Sequence, residues 1–509
     1  MNGIAKIYKP ALVALAALLF CGAALMQNRL NTDREVLGLT RLTPLKNAPP
    51  VLAFTTVALG GFRGLIVNAL WIRANDLQDE DKFFDMVQLV DWITKLEPHF
   101  VGVWKVEAWN MAYNISVKFK DPEDRWHWVE RGIELLRDNA LVFNPAETGL
   151  YRDLSWIFQH KMGAYLDDAH MTYKFRWAQE MQDVLGGHPN FAALEHPQTP
   201  DEKERARKLR EVYKMDPAII EKVDKDYGPL DWRLPDAHAV YWAELGRLKA
   251  KDKEQETVRR SIYQSLQQAC LWGALDRSVT NVTTNNFRLL PNLDIVAKAD
   301  AGFEEMIAAT DEPGMKDNVK NGHKNFLKVM VPLLYEDNRM EEAARWFEKI
   351  KTTYTNAFVG KMANISLEDY ALGQIVENYD ELDPKKVTAA ITAMFRREFL
   401  SLIIDQDDKA VNYQNLAIAI WNRYTEKLTD AAQQQRVGLR PIGELRQTVL
   451  DEALDPVKSP LNSLQKAILR TKLNLPAPNA AAAPSPPPPP SSSTIETNST
   501  DNPPAKPKS

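Results

Sequence analysis

The sequence has few of the residues on which catalytic and metal sites usually depend. It contains two cysteines and eight histidines in 509 residues, and the histidines are scattered along the chain. It has no G-x-x-x-x-G-K-[ST] phosphate loop, no G-x-S-x-G serine elbow, no C-x-x-C pair and no H-E-x-x-H zinc motif. We therefore expect a protein that is not an enzyme and that holds neither a cofactor nor a metal.

An excess of charge of one sign is also missing. Lys and Arg together number 63, Asp and Glu number 68, and the formal net charge is -5. Such a balance gives no broad positive field, so nucleic acid is excluded as the expected partner. The composition, with 45% hydrophobic and 26% charged residues, is that of a chain able to bury a large core. Cys21 and Cys270 are expected to be free thiols.

The nearest approach to a metal-binding cluster is the segment HKMGAYLDDAH. It contains His160, Asp167, Asp168 and His170, which would come together only if the chain turned sharply between residues 163 and 168. Aspartates at helix caps and histidines at the surface are the commoner use of these residue types. The sequence therefore predicts no metal site here.

An uncharged run near the N-terminus indicates a membrane segment. Lys6 and Lys9 precede Ala11–Met26, which has sixteen residues without a charge, and its flanking residues extend it to roughly the 17 that a bilayer needs. We predict a short basic leader at residues 1–9 and a single-pass transmembrane anchor at residues 10–27. A cleaved signal peptide is the alternative, because small residues such as Gly22 and Ala23 would suit cleavage.

The flanking segments indicate how the chain is placed at the membrane. A short basic leader before an apolar run usually inserts with its N-terminus in the cytoplasm, so we expect the body on the extracytoplasmic side of the cytoplasmic membrane. Residues 28–50 are polar, contain Pro44, Pro49 and Pro50, and predict a linker. Residues 476–509 are rich in proline, alanine and serine and predict a disordered tail.

The body, from residue 51 to residue 475, is predicted to be all-α, because helical spacing dominates and no segment alternates like a strand. Within it, LEPHFVGVWKVEAWNMAYNI and FNPAETGLYRDLSWIFQHKM align without a gap at an offset of 47 residues. In each copy a helix ends at a proline and the next begins with two bulky aromatics on one face. The alignment pairs Pro98 with Pro145, Trp104 with Tyr151 and Trp109 with Trp156. Helix-turn-helix repetition is the expected structure.

Two helical hairpins resemble tetratricopeptide (TPR) repeats. In the first, Ala74 stands where the family has a small residue and Pro98 where it has a closing proline. In the second, Val331 and Thr355 take those places, and Pro332 lies inside the first helix. The matching core positions are Leu70, Ala74, Leu77, Met86, Val90 and Ile93 in the first hairpin, and Leu327, Met330, Leu334, Ala343, Phe347 and Ile350 in the second.

The resemblance to TPR proteins implies an α-solenoid of stacked hairpins with an extended concave surface. We expect TPR-like repeats over residues 51–185 and 236–475. Between them, residues 186–235 contain several prolines and predict an irregular, charged insertion with one helix near residues 201–214.

The stretch Leu59–Glu80 is apolar on two sides of a helix yet contains Arg63 and Arg73. We expect a helix packed between neighbours, in which Arg73 pairs with Asp76. Two alternatives are a helix laid on the membrane surface and a second membrane pass, although an arginine in mid-bilayer costs about 2.5 to 3.5 kcal/mol. Residues 61–74 also resemble those of uncharacterised bacterial proteins with an N-terminal membrane anchor and TPR-like repeats, which implies a location in the cell envelope.

These features predict a membrane-anchored scaffold or assembly factor that binds a protein or peptide partner at the bacterial cell envelope. The alternative is an envelope enzyme that acts on glycan or lipid and holds it on the tryptophan-rich surface of the first repeats. The candidate partner-binding residues are Arg63, Arg73, Trp104, Trp109, Tyr151 and Trp156.

Overall fold

The computed structural model describes residues 63–250, 252–276, 281–284, 286–358, 364–377, 384–426, 428, 438–457 and 459–476, with scattered positions between 15 and 33. Over these residues the protein is all-α, which confirms the predicted class. A two-stranded antiparallel ladder, which the sequence pattern did not indicate, pairs β1 (Ala274–Leu275) with β2 (Leu289–Leu290).

The chain divides into two compact units. Unit 1 comprises Met1–Leu334 and Met340–Ile365, and unit 2 comprises Tyr335–Arg339 and Ser366–Ser509. The α-helices of five or more residues in unit 1 are α1 (Arg63–Asp79), α2 (Phe83–Leu96), α3 (Val101–Trp109), α4 (Pro122–Glu134), α5 (Thr148–Trp156), α6 (His170–Val184), α7 (Phe191–Glu195), α8 (Pro200–Glu211), α9 (Pro217–Tyr227), α10 (Pro235–Lys249), α11 (Asp252–Trp272), α12 (Val296–Ala309), α13 (Pro313–Glu336), whose last two residues are assigned to unit 2, and α14 (Met340–Thr353). Those of unit 2 are α15 (Leu367–Glu377), α16 (Pro384–Ile403), α17 (Asp407–Glu426), α18 (Ile442–Leu454) and α19 (Ser463–Lys472).

Three helices of unit 1 continue directly into π-helical segments, in which the backbone bonds span five residues. We name them π1 (Asn110–Ile115), π2 (Leu135–Ala140) and π3 (Ile157–Gly163), which follow α3, α4 and α5. Segments of this kind are rare and occur frequently at functional sites. They therefore direct attention to the ends of these three helices.

The first TPR-like hairpin has a well-packed core. Side chains of α1, α2 and the start of α3 form one buried cluster, made of Val67, Ala74, Leu77, Met86, Val90, Ile93, Leu96 and Val103. Five of the six core positions on which the TPR resemblance rests belong to it, and Leu70 packs against it partly buried. The six positions of the second hairpin are buried as well. Burial of these core positions explains why apolar residues recur at helical spacing in both hairpins. The TPR resemblance itself stays a prediction.

The gapless alignment of the two repeat copies has a structural counterpart. Trp104 Nε1 donates a hydrogen bond to the carbonyl oxygen of Pro98 at 2.8 Å, and Tyr151 OH donates to that of Pro145 at 2.9 Å. Each bond ties the first turn of α3 or α5 to the preceding proline turn. Because π1 and π3 then follow at matching positions, the repetition extends from the turn to the end of the helix.

Residues 186–235, all described, contain three helices, α7, α8 and α9, where one charged helix was expected. The prolines begin helices here. Pro200 and Pro217 occupy the first turns of α8 and α9, and the side chains of Thr199 and Asp216 cap those turns by accepting backbone N–H bonds. A proline at this position sacrifices no helical bond, and its fixed φ suits the helix.

A buried histidine joins α12, α13 and the end of α14. His323 Nε2 lies 2.8 Å from Asp300 Oδ1, and its Nδ1 lies 2.8 Å from Tyr354 OH. Lys349 Nζ donates to Asp300 Oδ2 at 2.7 Å. Burial by itself would raise the pKa of Asp300, but the bonds from His323 and Lys349 hold it below its ordinary value. This polar network ties the last helices of unit 1 together.

Unit 2 has a core of its own. Helix α16 contacts α17, α18 and α19, and at their interface Arg446 Nη2 pairs with the buried carboxylate of Glu398 at 2.5 Å. Among the buried apolar residues of this core are Phe395, Phe399, Leu416, Ile420, Leu445 and Leu469.

None of the described helices combines the length with the apolar content that a bilayer-spanning helix requires. Half of the predicted anchor at residues 10–27, most of the linker at 28–50 and nearly all of the tail at 476–509 lie outside the described residues.

Two glycines give a matched test of packing in unit 1. A Cβ added to Gly273, just after α11, would lie 2.4 Å from Ala269 Cα, so the backbone would have to move. We expect Gly273→Ala to lower the free energy of unfolding by about 2 to 3 kcal/mol. Gly64→Ala, in α1, is the control, since a Cβ added to Gly64 meets nothing within 4 Å. Alanine there should raise the free energy of unfolding by up to about 1 kcal/mol through its higher helix propensity. Urea denaturation measures both, and equal effects would contradict the prediction.

Candidate functional site

Four ring side chains from the two repeat copies form a continuous row. Trp109 stacks on Tyr113 with ring centroids 4.2 Å apart, and Trp156 stacks on His160 at 4.6 Å. The two stacks meet where Tyr113 OH and His160 Nδ1 are hydrogen-bonded at 3.2 Å. In each copy the rings lie four residues apart, which places them one above the other on a helix. We call these four residues the aromatic row.

The aromatic row opens to solvent at one end. Trp109 is 48% exposed, whereas Tyr113, Trp156 and His160 are half-buried. Burial raises the pKa of Tyr113 far above its ordinary value and lowers that of His160, the latter with help from the neighbouring charge of Lys161. The row therefore presents uncharged, stacked rings beside an accessible indole.

An ionic cluster lies directly below the aromatic row. Lys161 is buried, with its ammonium 5.2 Å from the ring centre of Tyr113, and it donates to Asp167 at 2.5 Å. Arg125 Nη2 donates to Asp167 Oδ1 at 2.8 Å, and Tyr173 OH donates to the same oxygen at 3.3 Å. The ionic cluster, as named here, consists of Arg125, Lys161, Asp167 and Tyr173.

Charge in the ionic cluster is balanced by a second carboxylate at its edge. Arg125 Nη1 donates to Asp168 at 2.6 Å, and the Asp168 side chain is 85% exposed. Burial opposes ionisation of Asp167, but the bonds from Lys161 and from the backbone amide of Ala169 hold its pKa below the ordinary value. Burial lowers the pKa of Lys161, and Asp167 opposes that shift. Both partners thus depend on each other for their charge.

The four side chains of the segment HKMGAYLDDAH that resemble metal ligands contact other protein groups. Among the described residues, no group of histidine, cysteine, aspartate or glutamate side chains could hold a metal ion. The observed partners are Trp156 for His160, Arg125 for Asp167 and Asp168, and Lys174 for His170.

Two further buried charged residues, Lys174 and Asp236, lie in the same unit. Lys174 Nζ donates to the carbonyl oxygen of Met162 at 2.7 Å and lies 2.9 Å from His170 Nδ1. Asp236, at the start of α10, is buried, and its Oδ1 has no hydrogen-bond partner among the described residues. Burial raises the pKa of Asp236, and the charge of Lys174 opposes that shift. The bond from Lys174 to Met162 ties α6 to the end of π3.

The six predicted partner-binding residues separate by burial. Trp104 and Tyr151 are buried and bond to the proline turns, so they stabilise the repeats from within. Trp109 and Trp156 belong to the aromatic row. Arg73 is exposed and lies 3.9 Å from both Asp76 and Glu80, as the sequence predicted for Asp76. The side chain of Arg63 lies outside the described part of the chain.

The sequence analysis did not identify Tyr113, and it considered His160 only as a possible metal ligand. The signal was present, because both stand four residues after a paired tryptophan and are themselves separated by the repeat offset of 47 residues. Comparisons with protein-family models, with curated proteins and with solved structures find no match to this chain.

Proposed function

We propose that this chain is a membrane-anchored, TPR-like scaffold that binds a protein or peptide partner at the bacterial cell envelope, with the aromatic row as its contact surface. The observation that carries the proposal is the exposed Trp109 at the head of a ring stack that continues from one repeat copy into the next. Repeats that present similar side chains at equivalent positions extend a single binding surface.

The chemistry of the aromatic row suits a protein partner. Tryptophan and tyrosine offer large, rigid contact areas at a low cost in conformational entropy, and they dominate the energy of many interfaces. The row is also held in place, because Lys161 lies beneath Tyr113 and Lys105 bridges from α3 to Asp153 of α5 at 3.3 Å. A preorganised surface spends less of its contact energy on ordering itself.

The test compares a variant without the exposed indole of Trp109 with a variant that lacks a different exposed indole. We expect Trp109→Ala to weaken partner binding by roughly thirtyfold, the value of a hot-spot residue worth about 2 kcal/mol. Trp272→Ala is the control, since Trp272 is 39% exposed and lies outside the aromatic row. Full-length protein is solubilised from native envelopes, its stoichiometric partner is identified, and the affinity of each variant for it is measured.

Two results would contradict the proposal. One is equal partner affinity of the parent chain, Trp109→Ala and Trp272→Ala. The other is turnover of envelope glycan or lipid by the purified protein, because sugar rings also stack on exposed tryptophan and the competing proposal is an envelope enzyme.

A further inference from the structure

Helix α1 has two apolar faces, and only one of them is packed in the described part of the chain. Val67, Ala74 and Leu77 are buried against the following helices. Leu65 and Ile72 are each 63% exposed, and Ala69 between them is exposed as well. Residues spaced by three, four and seven positions share one side of a helix. We call Leu65, Ala69 and Ile72 the α1 stripe.

The α1 stripe continues an apolar stretch of sequence. The twelve residues before α1, Val51–Phe62, contain no charged side chain, and the predicted anchor at Ala11–Met26 precedes them. Beyond Ile72 the same side of the helix becomes acidic, with Asp76 and Asp79 exposed. The apolar surface is therefore confined to the first half of α1, the half nearest the N-terminal apolar segments.

The composition of the α1 stripe suits lipid better than a protein partner. Its side chains are aliphatic, its exposed neighbours Gly64 and Asn68 are small and uncharged, and the exposed Arg73 beside Ile72 is long enough to reach the headgroups. Protein interfaces are enriched in aromatic residues, methionine and arginine, which supply specificity. Acyl chains need only apolar area, and an amphipathic helix in the interface buries its apolar side about 5 to 10 Å below the headgroups.

We propose that the first half of α1 lies in the interfacial region of a phospholipid bilayer, with the α1 stripe facing the acyl chains. This is a second membrane contact, separate from the anchor, and it rests on the envelope location given under the proposed function. Because the opposite side of α1 packs against α2, the contact holds the body of unit 1 against the membrane surface.

The experiment measures the depth of single positions in full-length protein. Cys21 and Cys270 are replaced by alanine, and Leu65→Cys, Ile72→Cys and Leu166→Cys are each labelled with a polarity-sensitive fluorophore. Leu166 is the control, because it is 75% exposed and lies in unit 1 outside the α1 stripe. The proteins are reconstituted into vesicles of phosphatidylcholine and phosphatidylglycerol that contain lipids spin-labelled at acyl carbon 5 or carbon 12.

We expect blue-shifted emission at positions 65 and 72, quenched more strongly by the carbon-5 label than by the carbon-12 label, and no change at position 166. Stronger quenching by the carbon-12 label would mean that the segment crosses the bilayer and would overturn the inference. A blue shift without lipid quenching would show that protein covers the stripe, from this chain or a second copy, and would overturn it too.

Flotation of the same samples separates this inference from the proposed function. Vesicle-bound protein whose labels at 65 and 72 are neither shifted nor quenched leaves the anchor intact and refutes the contact of α1. Protein that fails to float with the vesicles refutes both the anchor and the contact.

Discussion

Replacing Asp167 with alanine is expected to lower the free energy of unfolding of unit 1 by about 3 to 5 kcal/mol, the usual cost of breaking a buried ion pair from one side. Asp167 receives bonds from Lys161 at 2.5 Å and from Arg125 at 2.8 Å. Its loss leaves the Lys161 ammonium, 3% exposed, without a compensating charge. Urea denaturation followed by circular dichroism measures the change.

Asp168→Ala is the matched control for this prediction. The side chain of Asp168 also pairs with Arg125, but it is 85% exposed, and exposed pairs contribute about 1 kcal/mol or less. A loss for Asp167→Ala no larger than the loss for Asp168→Ala would contradict the assignment of the ionic cluster as the support beneath the aromatic row.

The cost of Asp167→Ala should also depend on pH. The pKa of Asp167 is lowered in the folded protein, so its ionised form stabilises the fold above the ordinary carboxyl pKa. That stabilisation is lost as the pH falls from the ordinary value of 3.8 through the lower folded pKa. The difference between Asp167→Ala and the parent chain should therefore narrow in acid.

Replacing Glu107 with glutamine is expected to change the free energy of unfolding in a pH-dependent way. The change should be more favourable at pH 8 than at pH 5 by about 3 kcal/mol. Glu107 is 2% exposed, and neither of its carboxylate oxygens has a hydrogen-bond partner among the described residues. Burial, with a smaller contribution from Asp91, raises its pKa to about 8. The equivalent position of the other repeat copy holds Leu154, which is fully buried.

The direction of this pH dependence follows because the chain takes up a proton at Glu107 when it folds. An unfolded glutamate titrates near 4.5, so between that pH and about 8 the folded chain binds one proton more than the unfolded chain. Stability of the parent protein then falls as the pH rises, by about 1.4 kcal/mol per unit. Glutamine does not titrate, so the free energy of unfolding of Glu107→Gln should fall less steeply with rising pH.

Urea denaturation at pH 5, 6, 7 and 8 provides the measurement for Glu107. Glu195→Gln is the control for the loss of a carboxylate, because Glu195 is exposed at the end of α7. Identical pH slopes for the parent chain and Glu107→Gln would show that Glu107 is solvated in the folded protein.

The helical class and the repeat of 47 residues could be predicted from the sequence because both are local. An apolar residue every three or four positions specifies a helix and its buried side, and the proline turns before Trp104 and Tyr151 recur with their hydrogen bonds. The prolines of residues 186–235 predict an irregular insertion with one helix. Pro200, Pro217 and Pro235 begin helices instead, since a proline in the first turn loses no backbone bond.

Outside residues 186–235, the sequence by itself determined the helical class, where the repeat copies begin and which helices have an apolar side. Only the tertiary structure decided that Trp104 is buried and Trp109 exposed, five positions apart on one chain, and that Asp167 balances Arg125 from 42 residues away. The physical reason is the distance along the chain over which each effect acts. Helix propensity and capping act within a few residues, whereas burial and charge pairing depend on which distant segments pack alongside.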